Sequence, residues 1–131
     1  MDSRIMVFDL HDLGKALKPT GMLVVLDAIQ NRVIRNRQLG RCTHIFIDEI
    51  YLFFANEYSS NFLFESWKRF RKRGTKETGI TQNLEDCLRY ATEPTMLANS
   101  EYLVMLNQAP TDRAELAGLL NISDTLLSYI T

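Results

Sequence analysis

Apolar residues recur along this chain in two rhythms, and the switches between them predict its elements. Ile5 to Leu10 is a short apolar run with Asp9 near its end, followed by a polar stretch, His11 to Lys18, that contains Gly14; this predicts a buried strand and then a loop. Pro19 suits the first turn of a helix, and Met22, Leu26, Ile29 and Val33 then recur at the three-to-four spacing of one helical face, with Gly40 placed to end it. In residues 44–49, HIFIDE, the apolar Ile45, Phe46 and Ile47 do not alternate with polar ones, as in a parallel strand covered on both faces. After an irregular aromatic stretch, a second helix is predicted from about Asn61 to Arg73, with Leu63, Trp67 and Phe70 on its buried side and Gly74 as its C-cap. Thr78 to Gln82 reads as a third strand, and Asn83 is placed to cap a brief helix containing Leu84 and Leu88. Pro94 opens another helical turn, Tyr102 to Leu106 is a fourth run of β-favouring residues, and two short helices capped near Thr111 and Ser123 close the chain.

Strands that alternate with helices predict an α/β fold: a mostly parallel sheet of about four strands with helices on both faces, joined by right-handed crossovers. Composition agrees. With 46% apolar and 24% charged residues in 131, the chain has the make-up of one globular domain spanning residues 1–131. A net charge of −1 confers no general attraction to nucleic acid or membrane, so any such contact needs a local patch. Cys42 and Cys87 have neither the number nor the spacing of a disulfide framework, two histidines cannot build a metal cluster, and a reducing cytosolic setting fits best. No apolar stretch approaches the length of a membrane span, and the first residues do not read as a signal peptide.

In parallel sheets the chemistry sits at the carboxyl ends of the strands, where this chain puts two polar pairs. Asp48 and Glu49 follow the second predicted strand. An apolar strand delivering Asp and then Glu matches Walker B, in which the Asp holds Mg2+, usually through water, and the Glu orients or deprotonates the attacking water. A solvated strand end running into an acidic turn has the same composition. Thr81 and Gln82 close the third predicted strand, where the amide can sense a γ-phosphate without adding charge or simply satisfy backbone groups. Lys68, Arg69, Arg71, Lys72 and Arg73 crowd the end of the second helix. Cations there offset the helix dipole; they can also serve as an arginine finger for a neighbouring subunit's nucleotide, or contact nucleic-acid phosphates. Tyr51, Phe53, Phe54, Tyr58, Phe62, Phe64 and Trp67 are better explained by core packing than by base stacking, and Asp9 and His44 read as structural polar residues. A phosphate-cradling Walker A loop is absent: the one Gly-Lys pair, Gly14-Lys15, is followed by Ala16 and lacks the earlier glycine.

Four segments together resemble the C-terminal ATPase domain of the conjugal-transfer ATPases of type IV secretion systems, the VirB/TraE-like class of RecA-like P-loop NTPases. They are IMVFDLHDLGKALKPTGM, THIFIDEIYLFF, WKRFRKRGTKETGITQNLEDCL and LANSEYLVMLNQAPTDRAELAGLLNIS, and they cover nearly the whole chain. The resemblance implies a partial RecA-like fold from Walker B onward, truncated after Walker A. It makes Asp48 and Glu49 the Walker B pair, with Asp48 at the Mg2+ and the nucleotide, Thr81 and Gln82 the Thr-Gln motif, and Arg69 and Arg71 the candidate arginine fingers. It further implies ATP and Mg2+ as cofactors of a larger parent motor that powers pilus assembly and DNA or protein export, with none bound by the piece alone. Implied partners are further copies of the chain in a hexamer, other secretion-channel and coupling ATPase subunits, and DNA through Lys68, Arg71 and Lys72. The implied location is cytoplasmic, on the inner face of the cell membrane.

Two other classes stay open at this stage: a hexameric DNA translocase sharing the acidic pair, and an interaction domain with no nucleotide role. A missing P-loop strand would leave backbone and apolar surface unpaired, which predicts self-association.

Overall fold

The computed structural model describes residues 3–82, 93–106, 117–118 and 121–129. The chain divides into two compact units, Met1–Gln82 and Asn83–Thr131.

In the first unit, helix α1 (Lys18–Gln38) begins with Pro19 in its first turn and buries Met22, Leu26 and Val33 of the predicted stripe, with its fourth member, Ile29, half-buried. Its end is a Schellman motif. Leu39 is the C-cap and Gly40 adopts φ +66; the Gly40 N–H donates to Arg37 O at 3.0 Å and the Arg41 N–H to Asn36 O at 2.8 Å. Asn36 Nδ2 also donates to Thr43 Oγ1 at 3.0 Å, fixing the helix end against the next strand.

Strand β1 (Thr43–Ile47) pairs in parallel with β2 (Thr75–Gly79), Thr43 opposite Thr75 and Ile47 opposite Gly79. Between them lie a 3-10 turn (Ile50–Phe53), helix α2 (Glu57–Arg69) and a second 3-10 turn (Arg71–Arg73). Asn56 caps α2, its Oδ1 accepting from the backbone N–H of Tyr58 at 3.0 Å and of Ser59 at 3.3 Å. The buried face of α2 is Leu63 with the small residues Ser59, Ser60 and Ser66. Their hydroxyls are not left stranded: Ser59 Oγ donates to Phe53 O and Ser66 Oγ to Leu63 O at 2.9 Å. Gly74, at φ +67, turns the chain from the second 3-10 turn into β2.

Among its described residues the second unit has two short helices, α3 (Glu93–Ala98) and α4 (Asp124–Leu127), where Pro94 and Ser123 signal them in the sequence. The expected helix around Leu84 and Leu88, the cap near Thr111 and Cys87 lie outside the described residues. Among the described residues no helix is long and apolar enough to cross a membrane.

The α/β class with a small parallel sheet is as predicted, but several elements differ. The described sheet has two strands, not four. Residues 5–10 and 102–106 form no strand: Ile5, Val7, Tyr102 and Val104 are 79–85% exposed, and neither segment has a ladder partner. β-favouring side chains specify a strand only where a neighbouring backbone accepts the pairing. Strand β2 covers Thr75–Gly79 rather than Thr78–Gln82, because pairing starts as soon as Gly74 reverses the chain. Helix α2 starts at Glu57, four residues before Asn61, because Asn56 provides the cap. Strand β1 is covered on one face only: Ile45 and Ile47 are buried, whereas Phe46, on the opposite face, is 69% exposed.

Candidate functional site

The carboxyl edge of the two-stranded sheet is drawn together by the backbone. Beyond the paired residues, the Ile80 N–H donates to Ile47 O at 2.8 Å and the Ile50 N–H donates to Ile80 O at 3.0 Å. Ile80 is thus clamped between the end of β1 and the 3-10 turn that follows it. Asp48 and Glu49 span the gap between its two partners, and Thr81 and Gln82 leave directly from it. The two polar pairs placed at one sheet edge by sequence are therefore neighbours at that edge.

Asp48 is exposed, and its Oδ1 accepts the Glu49 N–H at 3.0 Å. That bond holds one carboxylate oxygen of a side chain that is otherwise exposed to solvent. Glu49 is half-buried and takes φ 50, ψ 47, a left-handed conformation that costs a non-glycine residue on the order of 1 kcal/mol. The twist turns the chain sharply out of β1, so the two acidic side chains do not follow the simple up-and-down alternation of a strand. Thr81 is half-buried and Gln82 exposed.

The turn is propped from beneath. Gly79 lies against Ile50 and Trp67, so close that a Cβ there would sit 2.6 Å from Ile50 Cδ1 and 3.5 Å from Trp67 Cη2. Phe53 and Phe54, just after the acidic pair, are buried, in line with the packing role expected of them; Tyr58 is 63% exposed. Asp9 Oδ1 accepts the His11 N–H at 2.8 Å, a local turn contact, and His44 Nε2 lies 3.8 Å from Cys42 Sγ at the exposed start of β1.

The basic run occupies the other end of the sheet. Arg69 Nη2 pairs with Glu65 Oε2 at 2.7 Å on the outer side of α2, and Arg71 belongs to the 3-10 turn that leads into the start of β2. A five-residue strand separates that end from Gln82, about 15 Å at the usual strand rise. Arg69 and Arg71 are thus not gathered with Asp48, Glu49 and Gln82 within the unit. Lys68 Nζ sits 3.8 Å from the centre of the Phe64 ring, and Lys72 is exposed.

One group that sequence inspection passes over is Glu77, in the middle of β2 on the α2 side. Burial raises its pKa from 4.5 to about 7, against the smaller lowering effect of its hydrogen bond with Ser66. The Ser66 hydroxyl has one proton, already given to Leu63 O. A protonated Glu77 donating to Ser66 Oγ satisfies both groups, whereas the carboxylate needs Ser66 to abandon Leu63.

Mg2+ at such an edge takes one or two carboxylates, waters and phosphate oxygens in place of an all-protein cage. Asp48 meets that requirement, and among the described residues no three His, Cys, Asp or Glu side chains converge on a cage. The phosphate-cradling loop that would complete a nucleotide site is not in the sequence. The residues present fit the metal and water side of such a site only.

No protein-family model matches the chain, and no curated protein does. Among solved structures, the chain is similar to VirB4 of Thermoanaerobacter pseudethanolicus, with a TM-score of 0.82 and 27% identity over 99% of its length. It spans 36% of that protein's chain. The fold of this chain is thus similar to that of part of VirB4.

Proposed function

We propose that this chain is the water-activating and nucleotide-sensing part of an ATP-hydrolysing motor that energises conjugative transfer or type IV secretion. Two backbone hydrogen bonds carry the proposal: Ile80 to Ile47 and Ile50 to Ile80, which place Asp48 and Glu49 beside Thr81 and Gln82. The likeness to VirB4 supports it.

Bound Mg2+ would draw charge from the phosphate oxygens as the terminal phosphoryl group leaves. Asp48 would hold the ion's water shell through the oxygen not engaged by the Glu49 N–H. Glu49 would orient the attacking water and take its proton. Thr81 would contact the nucleotide, and Gln82, a neutral amide, would register the terminal phosphate without adding charge to the edge. The chain supplies no Walker A loop, so hydrolysis requires one from the remainder of a larger parent protein.

Arg69 and Arg71, at the far edge from Glu49, would act on the site of a neighbouring copy in a ring, by our reading a hexamer. The tether on Arg69 suits this. An exposed helical ion pair such as Arg69 with Glu65 stabilises by only about 0.3–0.5 kcal/mol, little to give up for a phosphate. We assign the motor to the cytoplasm, on the inner face of the membrane, with secretion-channel and coupling ATPase subunits as partners and DNA contacted through Lys68, Arg71 and Lys72.

Manganese binding tests the acidic edge. In the complete gene product with ATP, Asp48→Asn is expected to weaken Mn2+ binding, followed by electron paramagnetic resonance, about tenfold or more, as loss of a direct or water-mediated ligand does. Unchanged Mn2+ affinity would contradict the assignment of Asp48.

A further inference from the structure

Charge along the chain is far from even. Residues 28–47 and 66–76 contain ten of the fifteen Lys and Arg residues and not one Asp or Glu. The fold gathers both stretches at the amino end of the sheet, opposite the acidic edge: α1 ends at Gln38, the basic turn covers Arg71–Arg73, and β1 and β2 start at Thr43 and Thr75. The two stretches are joined there by the Thr43 N–H donating to Gly74 O at 3.2 Å.

Between α1 and the basic turn runs a groove of about 420 Å³ lined by Gln30, Ile34, Arg37, Gln38 and Arg73. The α1 residues fall at spacings of four, three and one, a single helical stripe, and Arg73 faces them from the turn. Among the described residues neither Arg37 nor Arg73 has a carboxylate partner. Compensation of the helix dipole accounts for Arg37, which is in the last turn of α1, but not for Arg73, which lies beyond the end of α2.

We propose that this groove binds the sugar-phosphate backbone of a single-stranded nucleic acid. Two guanidiniums supply the charge-assisted, fork-shaped donors that phosphate oxygens take, and the Gln30 and Gln38 amides add neutral donors beside them. From Gln30 to Gln38 the helix rises about 12 Å, the stacked length of three to four nucleotides at about 3.4 Å each. A volume of about 420 Å³, lined by one helical stripe and a single turn residue, accommodates a short run of one strand and not a duplex. Among the described residues no aromatic side chain lines the groove, so recognition is through phosphate and indifferent to base sequence. The site differs from the run Lys68, Arg71 and Lys72 in drawing on α1, and it does not depend on any nucleotide bound at the acidic edge.

The test uses a fluorescein-labelled oligothymidine of about 20 nucleotides, free of triphosphate, titrated with the full chain between roughly 50 and 200 mM salt and followed by anisotropy. The paired substitution Arg37→Gln with Arg73→Gln is expected to weaken binding about tenfold at the lower salt and to reduce the log-log salt slope by about 1.4, or about 0.7 for each phosphate contact on a single strand. Lys15→Gln with Lys18→Gln, which removes the same charge at the other end of α1, is expected to leave both quantities unchanged. Equal losses in the two double variants, or no binding by the parent chain at low salt, would overturn the proposal. So would loss of binding to phosphatidylglycerol vesicles in the Arg variant with oligothymidine binding intact, which would assign the groove to a membrane. Should the Arg variant not fold, the side-chain Nε–Hε resonances of Arg37 and Arg73 in the unmodified chain decide: oligothymidine is expected to shift both, and unshifted signals refute the site.

Discussion

Replacing Glu77 by Gln removes an ionisable group that the fold holds in the wrong solvent for its charge. The pKa of Glu77 rises from 4.5 to about 7, with burial as the main cause. Since the folded value is the higher one, the folded chain holds its proton more tightly than the unfolded chain. The associated stability is fully present below about pH 4.5, is lost as pH rises through the interval to about 7, and is gone above it. Complete conversion of that displacement at about 1.4 kcal/mol per pKa unit gives about 3 kcal/mol. Glu77 keeps partial access to water, which screens the charge and reduces the expected loss to about 1.5–2 kcal/mol. Urea unfolding followed by the fluorescence of Trp67, the one tryptophan and a neighbour of Gly79, reads this unit directly. At about pH 4.5 the Gln variant should match the parent chain; at about pH 8 it should be the more stable by about 1.5–2 kcal/mol. A difference that does not change with pH, or a variant less stable than the parent at about pH 8, would refute the burial argument.

Two further substitutions probe the packing that supports the candidate site. Leu63, at 0% exposure, is the apolar centre of the buried face of α2, and Leu63→Ala should cost about 2–5 kcal/mol, seen as an earlier urea midpoint; a cost well under about 1 kcal/mol would mean that α2 is not packed as described. Gly79→Val drives a branched side chain into Ile50 and Trp67 and should cost about 1–3 kcal/mol while changing Trp67 emission in the folded state; an unchanged spectrum and midpoint would show that the turn after β1 is not propped from β2.

Helical periodicity and turn residues made much of this architecture legible before any coordinates. The stripe of Met22, Leu26, Ile29 and Val33, with Gly40 after it, marked α1 and its end, since an amphipathic face and a left-handed glycine are local properties. The apolar runs misled for the opposite reason. Ile5 to Leu10 and Tyr102 to Leu106 carry β-favouring side chains, but a strand is a relation between two backbones, and among the described residues only Thr43–Ile47 and Thr75–Gly79 have it. At the site, the shared edge of Asp48, Glu49, Thr81 and Gln82 followed from strand order, whereas the left-handed Glu49 and the Ile80 clamp are set by tertiary pairing and have no sequence signature. Glu77 could have been noticed as a charge in a strand flanked by threonines. Arg37 and Arg73 could not have been linked, because 36 positions separate them and only the packing of α1 beside the basic turn brings them to one groove.

ATP turnover by the complete gene product, with and without Glu49→Gln, tests the central claim most directly. If Glu49 takes the proton of the attacking water, turnover should fall on the order of 10²–10⁴-fold with ATP binding retained, since an amide can hold the water but cannot accept the proton. Unchanged turnover in a product that hydrolyses ATP, or no hydrolysis by the product at all, would contradict the assignment of this chain to a motor's water-activating edge.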